Sequence, residues 1–326
     1  MPLPPVAAAP ARQEVVALAD RLDARFGRRW HLGTSSWHFP GWAGQVWQEA
    51  STEATLSRHG LTALSRHPLL RCVSLDRSFY RPLDTSECAR LAAQVDEHFR
   101  FVVKAFAGVS DAMLRDARTG APTAANPGFL DPDLAWQTSL QPAQRGFGHK
   151  LGVLVFQLSP LPRTWLNDQP RLHQRLAAMF VALQAKQVGS ARLALECRDP
   201  ELLTPELAAL LRQHGVRYCL GVHDRMPSVA LQLEMARRTW PGDLVCRWNL
   251  QKGQRYAQAR DRWAPFDRLQ APDVETRQTL AKAIVGTLGA GRQAFVTINN
   301  KAEGSAPASV MELARAMDAL DASRSS

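Results

Sequence analysis

The 326-residue sequence predicts an α/β protein folded as a (β/α)8 TIM-like barrel. Eight short runs rich in Val, Leu, Phe and Cys punctuate the chain, and most are followed by a helical stretch of suitable length. Strands that alternate with amphipathic helices pair in parallel through right-handed crossovers, and eight such units close on themselves. The main rival is a doubly wound sheet. Against it, no Gly-x-Gly-x-x-Gly follows the first run and no Gly-x-x-x-x-Gly-Lys-Ser/Thr occurs.

The chain opens with a Pro- and Ala-rich tail. Val15, Leu18, Leu22 and Phe26 then recur at helical spacing over Glu14 to Phe26, so residues 1–29 read as a tail and helix ahead of a single barrel domain at 30–322. The first strand, Trp30 to Ser35, runs into an aromatic loop from Ser36 to Trp42 that includes Trp37, Phe39, Pro40 and Gly41. Such aromatics line a ligand pocket or, the favoured reading, plug a barrel mouth. A helix near Thr55 to Ser65 precedes the second strand, Cys72 to Leu75. Asp84-Thr85-Ser86-Glu87 is a capping box opening a helix to about Phe99. The third strand, Arg100 to Phe106, carries Lys104 near its end. Residues 107–150 are broken by Ala, Pro, Gly and Asn, and read as a long insertion over one end of the fold with no core element.

The fourth strand, Gly152 to Leu158, has Gln157 near its end, and a helix from about Gln169 to Lys186 leads to the fifth. There Leu193, Leu195 and Cys197 fall on one face, and Ala194, Glu196 and Arg198 on the other. Thr204 and Pro205 supply the cap and first turn of a helix. The sixth strand, Val216 to Val222, precedes His223 and Asp224, and a helix from about Ser228 to Arg238 follows. Arg247 and Asn249 share a face of the seventh, Leu244 to Leu250. Residues 251–272 read as an irregular basic linker, and Asp273 to Leu288 as a helix. The last strand, Gln293 to Asn299, puts Thr297 and Asn299 on one face, and Ser305 and Pro307 open a closing helix to about Leu320.

A composition of 45% hydrophobic and 21% charged residues is that of a soluble globular protein with an ample core. Five cysteines without a Cys-x-x-Cys pair read as reduced core thiols. No signal-like start and no 18-residue apolar run occur, which predicts a cytoplasmic protein with no membrane contact. A formal charge of +10 favours anionic partners, a small molecule first and nucleic acid second, the latter through the Arg-rich linker Lys252 to Arg268. No run of five basic residues appears, so the favoured reading of the charge is a solvated Arg-rich surface.

In a barrel the C-terminal ends of all strands open on one face, where chemistry is kept. That face would collect Ser35, Asp76, Lys104, Gln157, Glu196, Arg198, Asp224, Arg247, Asn249, Asn299 and Asn300. Lys104, Arg198 and Arg247 are the candidate grip on phosphate or carboxylate, Glu196 and Asp224 the candidate proton carriers, and Gln157, Asn299 and Asn300 candidate substrate contacts. Glu196 and Arg198 read equally well as a structural salt bridge. Only His223 stands at a strand end, so neither a metal nor a cofactor is expected.

Several segments recur in the order of a known family. They are Gly33-Thr34-Ser35-Ser36-Trp37 with Trp42 and Gly44, Ser78-Phe79-Tyr80, Phe101-Val102-Val103-Lys104, Leu151-Gly152 with Phe156-Gln157-Leu158, Glu196-Cys197-Arg198, Asp224, Arg247, and Asn299-Asn300 with Gly304, Ala306 and Pro307. From about Trp30 to Leu320 the chain resembles the YecE-like barrels, domain of unknown function 72. The resemblance implies a TIM-like barrel, supplies no established reaction, and adds Trp37 and Tyr80 to the candidate substrate contacts. The chain departs from the family pattern at Ser74, Ser110-Asp111, Asp199, Asn249-Leu250 and Ser309, where the family has Glu, Thr-His, His, His-Gly and Asn. The sequence therefore predicts a barrel that binds an anionic small molecule, with acid/base chemistry at Glu196. The alternatives are a non-catalytic nucleic-acid or anion binder and a barrel that has lost its reaction.

Overall fold

A chain whose strands alternate at period two on both faces must bury both, and a closed barrel does so. The computed structural model describes residues 6–189, 191–251 and 253–322. Eight parallel strands close the barrel: β1 (Trp30–Thr34), β2 (Cys72–Leu75), β3 (Arg100–Lys104), β4 (Leu151–Gln157), β5 (Arg192–Glu196), β6 (Arg217–Val222), β7 (Leu244–Trp248) and β8 (Ala294–Ile298). Each pairs with its sequence neighbours, and β8 returns to β1 through Trp30 opposite Ala294 and Thr34 opposite Ile298.

The two faces of β5 separate as their alternation predicts. Leu193, Leu195 and Cys197 join the large apolar layer beneath the helices, whereas Ala194 joins Val102, Val153, Val155, Cys219, Val245 and Phe295 in a separate inner cluster. The inner layer is thus side chain rather than channel, and it forms a floor beneath the polar ends of the strands. His31 stacks on Phe295 at 4.6 Å with an interplanar angle of 13°. The helix Gln13–Phe26 contributes Val15, Leu18, Leu22 and Phe26 to the outer layer and packs on the closing helix, Ala306–Ala322.

Three expectations need correction. The capping box at Asp84 forms, with both reciprocal bonds present, but its helix ends at Ala92 rather than near Phe99. Residues 107–150 do hold core elements. After an exposed hairpin (Met113–Arg115 with Pro122–Ala125), the helices Pro132–Ala135 and Gln141–Phe147 and the π turn Trp136–Leu140 between them bury Ala135, Leu140, Ala143 and Phe147. Phe147 stacks on Phe101 of β3 at 4.4 Å, so this stretch does the work of a barrel helix. Lastly, the basic linker contains the helix Tyr256–Trp263, and Ala259, Trp263, Phe266 and Leu250 form a small apolar cluster. Arg260 and Arg268 pair with Asp261 and Asp267, which offsets part of the linker's charge; Lys252 lies outside the described residues.

Candidate functional site

The strand ends of β2, β3, β4, β5 and β7 bring Asp76, Lys104, Gln157, Glu196, Arg198 and Arg247 to the barrel mouth, where all but Lys104 join one hydrogen-bonded network. Glu196 is 0% exposed. Arg247 Nη1 donates to Glu196 Oε2 at 2.5 Å, and Arg198 Nη2 lies 2.7 Å from Oε1 as an ion pair. Gln157 Oε1 accepts from both guanidinium groups, at 2.9 Å from Arg198 and 3.2 Å from Arg247. The other arm of Arg247 donates to Asp76 Oδ1 at 2.6 Å, and the same oxygen accepts from Ser74 Oγ at 2.7 Å.

Burial on its own pushes the Glu196 carboxyl up, but Arg198 and Arg247 outweigh it and hold the group below the usual carboxylate range. The same contest, won by Arg247 and Lys104, lowers Asp76. Burial lowers Arg247, and Asp76 and Glu196 more than reverse this, so its charge is permanent. Lys104 behaves differently. Its Nζ sits 3.5 Å from the centroid of the Phe79 ring and makes no hydrogen bond or ion pair among the described residues. Burial, helped by Arg247 and opposed by Asp76 and Glu196, pulls its ammonium down to about 7.

Asn299 stands on the neighbouring side of the mouth, donating from Nδ2 to Ser35 Oγ at 2.7 Å and accepting from the Lys301 backbone at 3.0 Å. A cavity of about 240 Å³ opens here, lined by Ser35, Trp37, Ser74, Asp76, Asn299 and Lys301. Trp37 is a buried wall of this cavity, its indole N–H donating to the Ser57 carbonyl at 3.3 Å.

The remaining sequence-derived candidates stand apart from the network. Asn300 accepts from Trp42 Nε1 at 3.2 Å and from the Ala306 backbone at 2.8 Å, so its carboxamide oxygen ties the aromatic loop to the start of the closing helix. Tyr80 is 80% exposed, edge-on to Phe79. Asp224 is exposed and pairs with its neighbour His223. Sequence reasoning assigned no role to Ser74 or Phe79 and none beyond location to Asp76. The adjacency of Asp76 to the end of β2 was the available signal.

A larger cavity, about 510 Å³, lies at the opposite, N-terminal end of β6 and β7, between the helices Val229–Arg238 and Val274–Gly289. Its Arg217 already donates to the carbonyls of Thr239 and Pro241, so size alone does not move the site there. Among the described residues no group of three His, Cys, Asp or Glu side chains is placed to hold a metal ion. No helix among them is long and apolar enough to cross a membrane. All five cysteines are buried and free of disulfides.

No curated protein matches this sequence. Two solved structures of DUF72 family proteins share the fold. One, from Enterococcus faecalis V583, is 15% identical, with 89% of this chain and 95% of that one covered at a TM-score of 0.55. The other, from Thermotoga maritima MSB8, is 16% identical, with 89% and 99% covered at a TM-score of 0.55. The family described as "Protein of unknown function DUF72" matches residues 31–325, which takes in every barrel strand but the first residue of β1, and the chain therefore belongs to that family.

Proposed function

We propose that the barrel mouth binds a small molecule bearing phosphate or carboxylate and exchanges protons with it. One observation carries this reading: three cations converge on two carboxylates and keep unused donors. Arg198 Nε and Arg247 Nε are buried without a partner among the described residues, and Lys104 has no anion of its own. A buried donor left unpaired costs free energy that an entering oxyanion recovers. Glu196, held ionised between two guanidinium groups, serves better as the anchor of the cluster than as a proton donor. Lys104, drawn to about 7, is the group best matched to proton transfer at neutral pH.

The test compares the thermal stability of the full chain in sulfate and in chloride at matched ionic strength. A specific site stabilises by about 1.4 kcal/mol when sulfate reaches ten times its Kd. The increment should be larger below pH 7 than above it, because sulfate does not titrate there and Lys104 does. It should shrink in Lys104→Met, which removes one of the three cations and leaves the guanidinium pair. An equal sulfate effect in the variant is the general exclusion of sulfate from protein surface and would sink the assignment.

A further inference from the structure

We propose that Lys104 is a nucleophilic amine that forms an imine with a small carbonyl compound whose anionic group is held by the guanidinium pair beside it; the anionic part rests on the reading above. The geometry distinguishes this lysine. Lys301, also buried at the mouth and drawn down to about 8, donates from Nζ to Asn299 Oδ1 at 3.4 Å, an acceptor that Lys104 lacks. The chain has six lysines against 34 arginines, so Arg supplies positive charge almost everywhere. Lys150 spends its Nζ on the carbonyls of Ala92 and Val95, and Lys186 pairs with Asp133. Lys104 is 8% exposed at the barrel mouth, its Nζ resting on the Phe79 ring. The two carboxylates that would otherwise claim it, Asp76 and Glu196, are taken by Arg247 and Arg198.

The charged groups that bear on it most act from the mouth: Arg247 from β7, Asp76 from the turn after β2, Glu196 from the end of β5 and Arg198 from just beyond it. With its ammonium drawn to about 7, Lys104 is about half free base at neutral pH, against roughly one part in 2,500 for an ordinary lysine. Desolvation beside another cation is a recognised way to make an amine nucleophilic. In the step itself the Nζ lone pair attacks the carbonyl carbon, forming the C–N bond, and the C=O π pair moves to oxygen, which takes one N–H proton. The carbinolamine then gives up its hydroxyl and the second N–H proton as water, and the C=N bond closes. Amine plus carbonyl equals imine plus water, with no change of oxidation state.

The experiment treats the full chain with glyoxylate and sodium cyanoborohydride, which reduces the imine to a stable secondary amine, and maps the adduct by peptide mass spectrometry. Lys104 should be labelled about tenfold or more faster than the exposed Lys186 and Lys282, with a half-maximal rate near pH 7. The fast phase should be absent in Lys104→Arg. Labelling that follows exposure, with Lys104 last, overturns the proposal, as does a fast phase that survives in Lys104→Arg. An uncharged probe, acetaldehyde, separates the two readings. If it labels Lys104 as fast as glyoxylate, the amine stands and the anionic substrate class falls. Sulfate-specific stabilisation without labelling at Lys104 leaves the anion site standing and overturns the imine.

Discussion

Glu196 is buried between two guanidinium groups, and removing one member of such a cluster strands the others. Breaking a buried pair costs about 3–5 kcal/mol, so Glu196→Gln should lower the urea-unfolding free energy by roughly that amount, whatever happens to activity. A loss under about 1 kcal/mol would mean that solvent reaches the cluster and that its charges are not desolvated. Lys104 predicts the opposite sign. Its folded value is depressed from 10.5 to about 7, so below pH 7 the folded protein carries the full cost of a buried ammonium, and stability rises as pH climbs from about 7 towards 10.5. At about 1.4 kcal/mol per pKa unit, Lys104→Met should stabilise the protein at pH 7 by roughly 2–4 kcal/mol and flatten that rise, as urea titrations at several pH values would show. The alternation on β5 and the position of Lys104, Gln157 and Arg247 near their strand ends made five of the mouth residues legible in the sequence. The clasp between Asp76 and Arg247 was not, because it joins residues 171 positions apart and no local pattern records that closure. Asn300 was misleading for a related reason: it adjoins Asn299 at the end of β8, yet its carboxamide oxygen is taken by Trp42 and Ala306.

At the level of elements, all eight strands were readable from short apolar runs, with boundaries moved by a residue or two. What escaped were helices whose own periodicity is broken. In 107–150 the turn at Trp136–Leu140 is π rather than α, so the buried Ala135 and Leu140 stand five residues apart, and Pro142 interrupts the short run Leu140, Ala143 and Phe147 that resumes helical spacing. The helix Tyr256–Trp263 is anchored through Ala259 and Trp263, too little apolar surface to outweigh its polar neighbours in a sequence window. If residues 107–150 carried only a surface excursion, Phe147→Ala would be nearly neutral. Because Phe147 is buried and stacked on Phe101, the substitution should instead cost about 3–5 kcal/mol. Leu114→Ala in the exposed hairpin of the same segment should stay within about 0.5 kcal/mol. Chemical denaturation of the two variants side by side checks both values.

Over the whole molecule, the buried titratable groups set an optimum in pH. On the acid side, burial and the nearby Arg100 draw His31 down to about 3, and burial draws His67 to about 4. Both are depressed, so the stability they contribute is present above the ordinary histidine value of 6.5 and is lost as pH falls towards 4 and then 3, where the unfolded chain binds protons that the folded chain refuses. Asp76 and Glu196, also depressed, extend the loss below the ordinary carboxylate range. On the alkaline side the signs reverse. Burial pushes Cys88 up to about 12 and raises Cys72, Cys197, Cys219 and Cys246 as well, so these thiols stay protonated in the fold while the unfolded chain releases their protons from about pH 8.5 upward. Raised groups stabilise fully below their unfolded value, and that stability is lost as pH rises through the folded one. Above about pH 9, five thiols at about 1.4 kcal/mol per unit each overwhelm the opposing slopes from Lys104 and from Lys301, which burial draws down to about 8. The free energy of unfolding should therefore rise from pH 5 to a maximum at about pH 8–9 and fall steeply by about pH 10. Guanidinium titrations across that range measure it. Replacing Cys219 with Ala or Val should shallow the alkaline limb by about 1.4 kcal/mol per pH unit and leave the acid limb unchanged. An alkaline limb unmoved by that change would show that its descent comes from some other group.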